Sequence, residues 1–361
     1  MAKMVTVYNS GRTDFEPVDM SYIRWLKISE ALARLGHQVD IATNEPAWQR
    51  HESPIHMNPN LRRVPLSKIR WSDYDVVKTL FHIGFDSLET CGGSDHPFII
   101  SKLGSVVGPE DMEGIYFYGK IREKMYSTQT KISQRSNYVT LLSRSAKELW
   151  NRCFGPKYNI LVAPGGVDRH VPPPRKDPYP KDRRAKCIFA GNVYTKDSQP
   201  EANTVLINKL NKLGKLLSEH DTRLYVLGTG DVRRLDERYV TYLGIVSYEK
   251  TWDFFYFAQV GVVVSAGKFM HNNESSKIYH YLRAGLPAVS ESGFPNDRVI
   301  EDAKLGFVVE NGNLELMAQK IEEAANKDWN REFAIEYILH HHTWDKRVEI
   351  YDKVIKEDFN N

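Results

Sequence analysis

The sequence predicts an α/β protein made of two doubly wound domains with a cleft between them. Three observations support this prediction. Strand-like and helical segments alternate in two series, a proline-rich charged stretch separates the series, and 361 residues exceed one ordinary core. Parallel sheets of this kind bind ligands beyond the carboxyl ends of their strands. Residues that directly follow strands are therefore the first candidates for a site.

The first series occupies residues 1–170. It opens with an apolar run, followed by a helix with apolar residues at helical spacing, a glycine stop and a buried strand. The predicted strands are 4–8, 37–42, 75–81, 97–101 and 138–143, with a last strand and turn at 160–168, and the predicted helices are 21–35 and about 112–135. This half is predicted to be a Rossmann-like domain.

Residues 171–184, VPPPRKDPYPKDRR, are interpreted as a linker because a stretch rich in proline and charge buries little apolar surface. The alternation then restarts in a second Rossmann-like domain, 185–343. Its predicted strands are 187–190, 224–227, 240–244, 260–266 and 288–290, and its helices are 202–217, 249–258, 276–284 and 314–325. The tail, 344–361, is expected to form a helix that returns to the first domain.

Composition excludes several classes of protein. A net charge of +3 without dense Lys/Arg clusters argues against a nucleic-acid partner. No apolar run approaches the roughly 20 residues needed to cross a bilayer, and the first residues do not resemble a secretory signal. The cysteines Cys91, Cys153 and Cys187 form no CxxC pair. We therefore expect a cytoplasmic protein without disulfide bonds or structural zinc.

The most informative segment is 275–288, SSKIYHYLRAGLPA, which follows an apolar predicted strand. Ser275, Ser276 and Lys277 stand where a helix begins. A helix N-terminus presents unpaired N–H groups and about half a positive charge, and the lysine adds a full charge. These features predict a diphosphate site. The local chemistry alone is equally compatible with an ordinary serine-capped helix whose lysine is solvated.

The pattern S-x-K-x-x-[E/Q]-Y-x-x-x-G-x-P in this segment resembles the donor-site motif of GT-B glycosyltransferases. The resemblance implies that Ser275 and Lys277 meet the diphosphate of a nucleotide sugar. His280 stands where family 4 retaining enzymes usually carry the second acid of their motif, and Asn272 replaces the first, with Glu274 close by. A variant with Lys and Gln at matching positions is found in family 70 glucuronosyltransferases. Glu274 and His280 are expected to orient the sugar and the ribose.

Further segments resemble the same superfamily in the same order, over most of the chain. They are ILVAPGGVDRHVPPP (160–174), CIFAGNV (187–193), VLGTGD (226–231), YVTYLGIVSYEKTWDFF (239–255) and the unit 293–321. The resemblance implies that the C-terminal domain binds the donor and the N-terminal domain binds the acceptor. The remaining implied donor contacts are Gly191, Asn192, Lys196, Gly244, Ile245, Val246 and Ser276.

The catalytic candidates lie in the first half. His82 ends the predicted strand VVKTLFH, and Glu110 and Asp111 lie in a loop near which inverting relatives carry a general base. An ordinary hydrogen-bonded histidine, and acids that favour the positive end of a helix, are the alternatives. Asp73-Tyr74-Asp75 precedes a strand, whereas a metal-binding D-x-D follows one, so we interpret it as a polar segment leading into the strand. The resemblance to GT-B enzymes, which generally need no bound metal, and the lack of a His/Cys/Asp cluster in the sequence imply neither a metal nor another cofactor.

The resemblance implies transfer of a hexose, uronic acid or related sugar from a nucleoside-diphosphate donor, UDP above all, to a glycan, lipid-linked or small-molecule acceptor. A nucleotide-sugar epimerase and a non-catalytic binding protein on the same scaffold stay open as alternatives. The basic-aromatic stretches 61–71 and 115–135 suggest peripheral contact with anionic lipid at the inner face of a membrane. The other interpretation of the second stretch is an amphipathic helix with solvated lysines.

Overall fold

The computed structural model describes residues 1–9, 20–43, 58–108, 119–197 and 199–359. In these ranges the chain forms two compact units. Of the described residues, the first unit contains 1–9, 20–43, 58–108, 119–166 and 344–359, and the second contains 167–197 and 199–343. The assignment of acceptor binding to one half and donor binding to the other stays a prediction.

The regular elements of the described residues are as follows. The strands are β1 (Lys3–Val7), β2 (Gln38–Thr43), β3 (Leu61–Pro65), β4 (Val76–Leu80), β5 (Ile99–Lys102), β6 (Tyr138–Leu141), β7 (Ile160–Val162), β8 (Ala185–Ala190), β9 (Thr222–Leu227), β10 (Val240–Tyr242), β11 (Val260–Val263), β12 (Ala288–Glu291) and β13 (Gly306–Val309). The helices are α1 (Met20–Arg34), α2 (Phe81–Thr90), α3 (Gly119–Arg135), α4 (Arg144–Phe154), α5 (Pro200–Ser218), α6 (Tyr248–Tyr256), α7 (Ser276–Arg283), α8 (Arg298–Asp302), α9 (Leu314–Asn326), α10 (Arg331–His341) and α11 (Trp344–Phe359).

Each unit contains one parallel sheet. Within the described residues the first sheet has seven strands in the order β3-β2-β1-β4-β5-β6-β7, and the second has six in the order β10-β9-β8-β11-β12-β13. Counted within its own sheet, the second order is the 3-2-1-4-5-6 arrangement of doubly wound folds. The predicted fold class, two doubly wound α/β domains, is therefore confirmed.

Both faces of each sheet are buried, as parallel sheets require. In β4, Val76 and Leu80 belong to one apolar cluster and Val77 belongs to the cluster on the opposite face. In β11, Val262 and Val263 divide between two clusters in the same way. The continuous apolar runs of the sequence follow from this two-sided burial.

The C-terminal helix α11 packs on α1 in the first unit. Trp344 and Tyr351 are both 1% exposed and belong to the same apolar cluster as the buried face of α1. An ion pair joins Arg34 to Asp345 (2.7 Å between Nη2 and Oδ1). These contacts attach the last helix to the sheet that begins the chain.

The proline-rich segment 171–184 is irregular but packs against the second unit. Tyr179 is 8% exposed and donates a hydrogen bond to Phe254 O (2.8 Å), and its ring lies edge-on to Tyr225. Arg175 pairs with Asp253 (2.8 Å). Sequence composition alone did not indicate this buried tyrosine, because its neighbours in the chain are prolines and charged residues.

The junction between β4 and α2 differs from the prediction. The strand predicted at 75–81 ends at Leu80, and a helix begins at Phe81 without an intervening turn. Phe81 makes the turn itself, with φ at +56°, a region that L residues other than glycine seldom adopt. Gly104 leaves room for its ring, since an added Cβ would lie 2.8 Å from it. Without glycine or proline between strand and helix, the sequence carried no signal for the boundary.

Other elements were also missed. The strand β3 lies at the sheet edge and is largely only partly buried, so its apolar pattern is weak; Arg62 in it pairs with Asp40 (2.8 Å). Helix α4 carries a recognisable cap, since Ser143 Oγ accepts from Ala146 N (3.0 Å). The remaining unpredicted elements are α8, α10 and β13.

Candidate functional site

The strand order of the second sheet reverses between β8 and β11, which pair directly, with Gly261 opposite Ile188. Connections that leave these two strands run to opposite sides, so a crevice forms at their carboxyl ends. Helix α7 follows β11 after an irregular loop. Its N-terminus is therefore where doubly wound sheets bind ligands.

A single tyrosine attaches α7 to β8. Tyr281 Oη accepts a hydrogen bond from Ala190 N (3.0 Å) and donates one to Ile188 O (3.2 Å). The contact depends on Gly261, where an added Cβ would lie 2.4 Å from the tyrosine ring. The start of α7 is thereby fixed beside the loop that follows β8.

The Lys277 side chain folds over that loop. Its ammonium lies 4.8 Å from the centroid of the Phe189 ring, and a Cβ added at Gly191 would lie 2.5 Å from Cε and 2.7 Å from Nζ. Burial lowers the pKa of Lys277 to about 8, and no carboxylate pairs with it among the described residues. An unpaired cation in a sheltered place is a favourable position for an anion, because ligand charge replaces the lost hydration.

The serine that precedes α7 is also unpaired. Ser275 is 3% exposed, and its Oγ makes no hydrogen bond within the described part of the chain. It does not cap the helix, although it occupies the N-cap position. Ser276 is the first helical residue, so its N–H belongs to those that lack an intrahelical partner. The predicted diphosphate residues Ser275, Ser276 and Lys277 are thus together at the crevice.

Glycines allow the loops after β8 and β9 to pack backbone against backbone. A Cβ added at Gly228 would lie 2.0 Å from Gly191 O, and one at Gly230 would lie 2.6 Å from Tyr194 O. Gly228 N also donates to Gly244 O (3.0 Å), which joins the loop after β10 to the same group. The predicted donor residues Gly191 and Gly244 therefore belong to one connected set of loops.

The residues beside Gly244 form the outer part of this set. Ile245 is 56% exposed. Val246 is partly buried against the aromatic cluster that includes Trp252. An exposed apolar side chain in this set of loops suits a flat ring, and contact with a nucleobase stays a prediction.

His280 is enclosed by its neighbours. The ring is 4% exposed, its Nδ1 donates to Ser276 O (2.7 Å), and its Nε2 is hydrogen-bonded to Tyr248 Oη (3.0 Å). The carbonyl oxygen of Ser276 can only accept, so Nδ1 carries a proton. Glu274, the other predicted orienting residue, accepts a hydrogen bond from Tyr279 Oη (2.8 Å). Their roles toward sugar and ribose stay predictions.

Asn192 and Lys196 have other neighbours. Asn192 Oδ1 accepts from Tyr194 N (2.8 Å), which shapes the turn after β8. Lys196 lines a shallow groove together with Asp231 and Arg233, and those two side chains form an ion pair (2.7 Å). The structure thus gives Asn192 a role in the turn, whereas a phosphate contact by Lys196 is still only a prediction.

Of the catalytic candidates, Glu110 and Asp111 lie outside the described residues. His82 lies in the first turn of α2 rather than at a strand end, which corrects the predicted position. It is 7% exposed, and its Nε2 donates to Gln129 Oε1 (3.2 Å). Gln129 is held by Val107, whose N–H donates to Oε1 and whose carbonyl accepts from Nε2, both at 2.7 Å. Burial lowers the pKa of His82 to about 4, so the ring is neutral at physiological pH.

The described residues contain neither a metal-binding cluster nor a membrane-spanning helix. No group of three or more His, Cys, Asp and Glu side chains there is arranged to hold a metal ion. Among the same residues, no helix has both the length and the apolar character required to cross a membrane.

Comparison with known proteins shows which sequence family and which solved structures this chain resembles. The sequence family described as "Glucosyltransferase 3-like, C-terminal domain" matches residues 207–334, about a third of the chain. No curated protein matches the sequence. The matched region contains the loop after β9, the loop after β10 and the whole of α7.

Solved structures resemble the chain over its full length. Sucrose-phosphate synthase from Thermosynechococcus elongatus superposes with a TM-score of 0.69 at 13% identity, covering 100% of both chains. HepE from Anabaena, solved with UDP and glucose, has a TM-score of 0.67 at 11% identity and covers 99% of this chain and 100% of its own. WaaG, a glycosyltransferase of lipopolysaccharide biosynthesis, has a TM-score of 0.56 at 11% identity, with 98% coverage of each.

The chain therefore has the GT-B glycosyltransferase fold, as the sequence motifs indicated. Membership of family 4 or family 70 stays a prediction.

One further residue of the site was not predicted from the sequence. Asn296 is 3% exposed and forms hydrogen bonds with both backbone groups of Ser275 (3.0 and 2.9 Å). It lies 21 positions away along the chain, in the loop after β12. An asparagine in a turn after Gly and Pro is common, so the sequence held no signal for this contact.

Proposed function

We propose that this protein is a glycosyltransferase that transfers a hexosyl or glycuronosyl group from a UDP-sugar. The observation that carries the proposal is the Lys277 ammonium, which is sheltered over Phe189 and Gly191 at the start of α7 without a carboxylate partner in the described chain. A diphosphate supplies the missing negative charge. The GT-B fold and the UDP complex of HepE favour a nucleotide sugar as the source of that diphosphate.

The chemistry follows from charge. When the bond between the anomeric carbon and the β-phosphate oxygen breaks, the leaving UDP gains negative charge on its terminal phosphate. A cation and helix N–H groups that are already in place stabilise this charge without reorganisation. Lys277 and the first turn of α7 would therefore lower the barrier, and their contribution is greatest when the bond is breaking.

The acceptor and the general base are assigned to the first unit in this proposal. The acceptor, a glycan, a lipid-linked sugar or a small molecule, would bind the first unit, where His82 is neutral and oriented by Gln129. Glu110 or Asp111 is the proposed general base. Metal independence is part of the proposal, since the lysine and helix terminus would supply the positive charge that a metal supplies elsewhere.

A nucleotide screen tests the proposal. UDP-, GDP-, ADP- and dTDP-sugars are added to the full chain in EDTA, and the melting temperature is recorded. We expect the UDP compounds to stabilise most, by about 2.7 kcal/mol at one hundred times the dissociation constant. If no nucleotide raises the melting temperature, the proposed donor site is wrong.

Product analysis then separates the activities. A transferase releases UDP in an acceptor-dependent manner or hydrolyses the donor slowly, whereas an epimerase changes the sugar of the donor without releasing UDP. Stabilisation by UDP-sugars with no turnover across a panel of acceptors would identify a binding protein instead.

A further inference from the structure

Ser275 precedes α7 in a state that is unusual for an N-cap serine, and its meaning for ligand binding rests on the proposed diphosphate site. A serine at the N-cap of a helix normally turns its hydroxyl inward and accepts a hydrogen bond from a backbone N–H two or three residues on. Ser275 holds this position before α7, yet its side chain makes no such bond. Its hydroxyl is buried and unpaired among the described residues, which is an unfavourable state.

Two other serines of the same chain show what capping looks like. Ser143 precedes α4 with ψ at 167° and accepts from Ala146 N, and Ser247 precedes α6 with ψ at 157° and accepts from Lys250 N. Ser275 has ψ at 106°. The backbone of Ser275 is therefore rotated away from the capping conformation.

Asn296 accounts for the difference. Its Oδ1 accepts from Ser275 N (3.0 Å), and its Nδ2 donates to Ser275 O (2.9 Å). A side-chain amide that pairs with both backbone groups of one residue fixes the orientation of that residue. Asn296 is 3% exposed, so water does not compete for these bonds.

We propose that Asn296 is a positioning residue of the donor site, which prevents Ser275 from capping α7 and reserves the Ser275 hydroxyl and the first N–H groups of the helix for a phosphate of the nucleotide. The hydroxyl would donate to a phosphate oxygen beside the Lys277 ammonium. Ligand binding then supplies the hydrogen bond that the Ser275 hydroxyl does not make to any described residue.

A double-mutant cycle on the full chain tests this role, with isothermal titration of UDP, inorganic pyrophosphate and uridine. Asn296→Ala should weaken UDP and pyrophosphate binding about tenfold and leave uridine, which has no phosphate, unchanged. Ser275→Ala should have a similar effect. Because Asn296 acts only by keeping the Ser275 hydroxyl from capping α7, its loss has no further effect once that hydroxyl is removed, and the double variant should be no weaker than Ser275→Ala alone.

The control variant is Ser143→Ala, which removes a true cap. It should lower the stability of the protein and leave UDP affinity unchanged, whereas Ser275→Ala should cost little stability because its hydroxyl is unpaired. If Asn296→Ala does not fold, Asn296→Asp keeps the acceptor for Ser275 N and adds a negative charge. It should weaken UDP far more than uridine.

The outcomes are distinct. Additive effects of Asn296→Ala and Ser275→Ala, or an equal loss of UDP and uridine binding, would overturn the positioning role and leave the proposed function intact. If the unmodified protein binds pyrophosphate but not UDP, the proposed function is wrong, whereas the proposed anion site is supported. Binding of neither compound would remove both.

Discussion

Replacement of Lys277 by methionine tests the site most directly. Methionine keeps the apolar contact with Phe189, 4.8 Å from the present ammonium, and removes only the charge. Two unit charges about 4 Å apart attract by about 4 kcal/mol at an effective dielectric constant of about 20. Truncating one member of a desolvated charge pair costs about 2–5 kcal/mol. Since Lys277 is only partly buried by surface area, we expect the lower part of this range.

A loss of about 2–3 kcal/mol corresponds to UDP binding that is roughly 30- to 150-fold weaker. Isothermal titration at one fixed salt concentration measures it. Lys320→Met is the matched control, because its Nζ lies 4.7 Å from the Phe307 ring but is paired with Glu323 at 2.7 Å. We expect no change in UDP affinity for that variant.

The same substitution should leave the unliganded protein as stable as before, or more so. Lys277 has no carboxylate partner in the described chain and its charge is partly desolvated, so methionine removes a cost. A UDP affinity within threefold of the unmodified protein would refute the reasoning. So would a lower melting temperature without ligand, since that would indicate a structural ion pair.

The remaining predictions concern pH and the glycine loops. Burial lowers the pKa of Lys277 from 10.5 to about 8, so UDP affinity should fall as pH rises from 8 to 9.5, and Lys277→Arg should remove that fall because arginine stays charged. In the same interval Lys277 binds more protons in the unfolded chain than in the folded one, so its own contribution to the stability of the unliganded protein should rise with pH, which urea unfolding of the unmodified protein and of Lys277→Met can check as a difference. Gly228→Ala should destabilise by more than about 2 kcal/mol or prevent folding, because its Cβ would lie 2.0 Å from Gly191 O with φ at +141°. Gly244 has φ at +85°, but an added Cβ there would meet no other atom of the described residues within 4 Å. Gly244→Ala should therefore lower the free energy of unfolding by only about 1–2 kcal/mol in the same measurement. Equal destabilisation by the two substitutions would contradict the packing described for these loops.

The sequence determined the fold class and the core of the candidate site. Apolar runs and amphipathic helices in strict alternation gave two doubly wound sheets, because parallel strands must be buried on both faces. The sequence predicted one group of site residues, Ser275, Ser276 and Lys277, because they are adjacent in the chain and start a helix. Local features of this kind do not depend on contacts with distant residues.

The features of the site that depend on contacts between distant residues were determined only by the tertiary structure. The left-handed turn at Phe81 forms because Gly104 makes space for its ring. As a result His82 lies in a helix and not at the end of a strand, where the sequence predicted it. Asn296 reaches Ser275 only because the loops after β11 and β12 meet at one edge of the sheet. His280 is enclosed by Tyr248, which lies 32 positions away. Spacing along a sequence records which residues share a helix or strand, whereas which side chains are buried, paired or left unpaired is set by the packing of elements against one another.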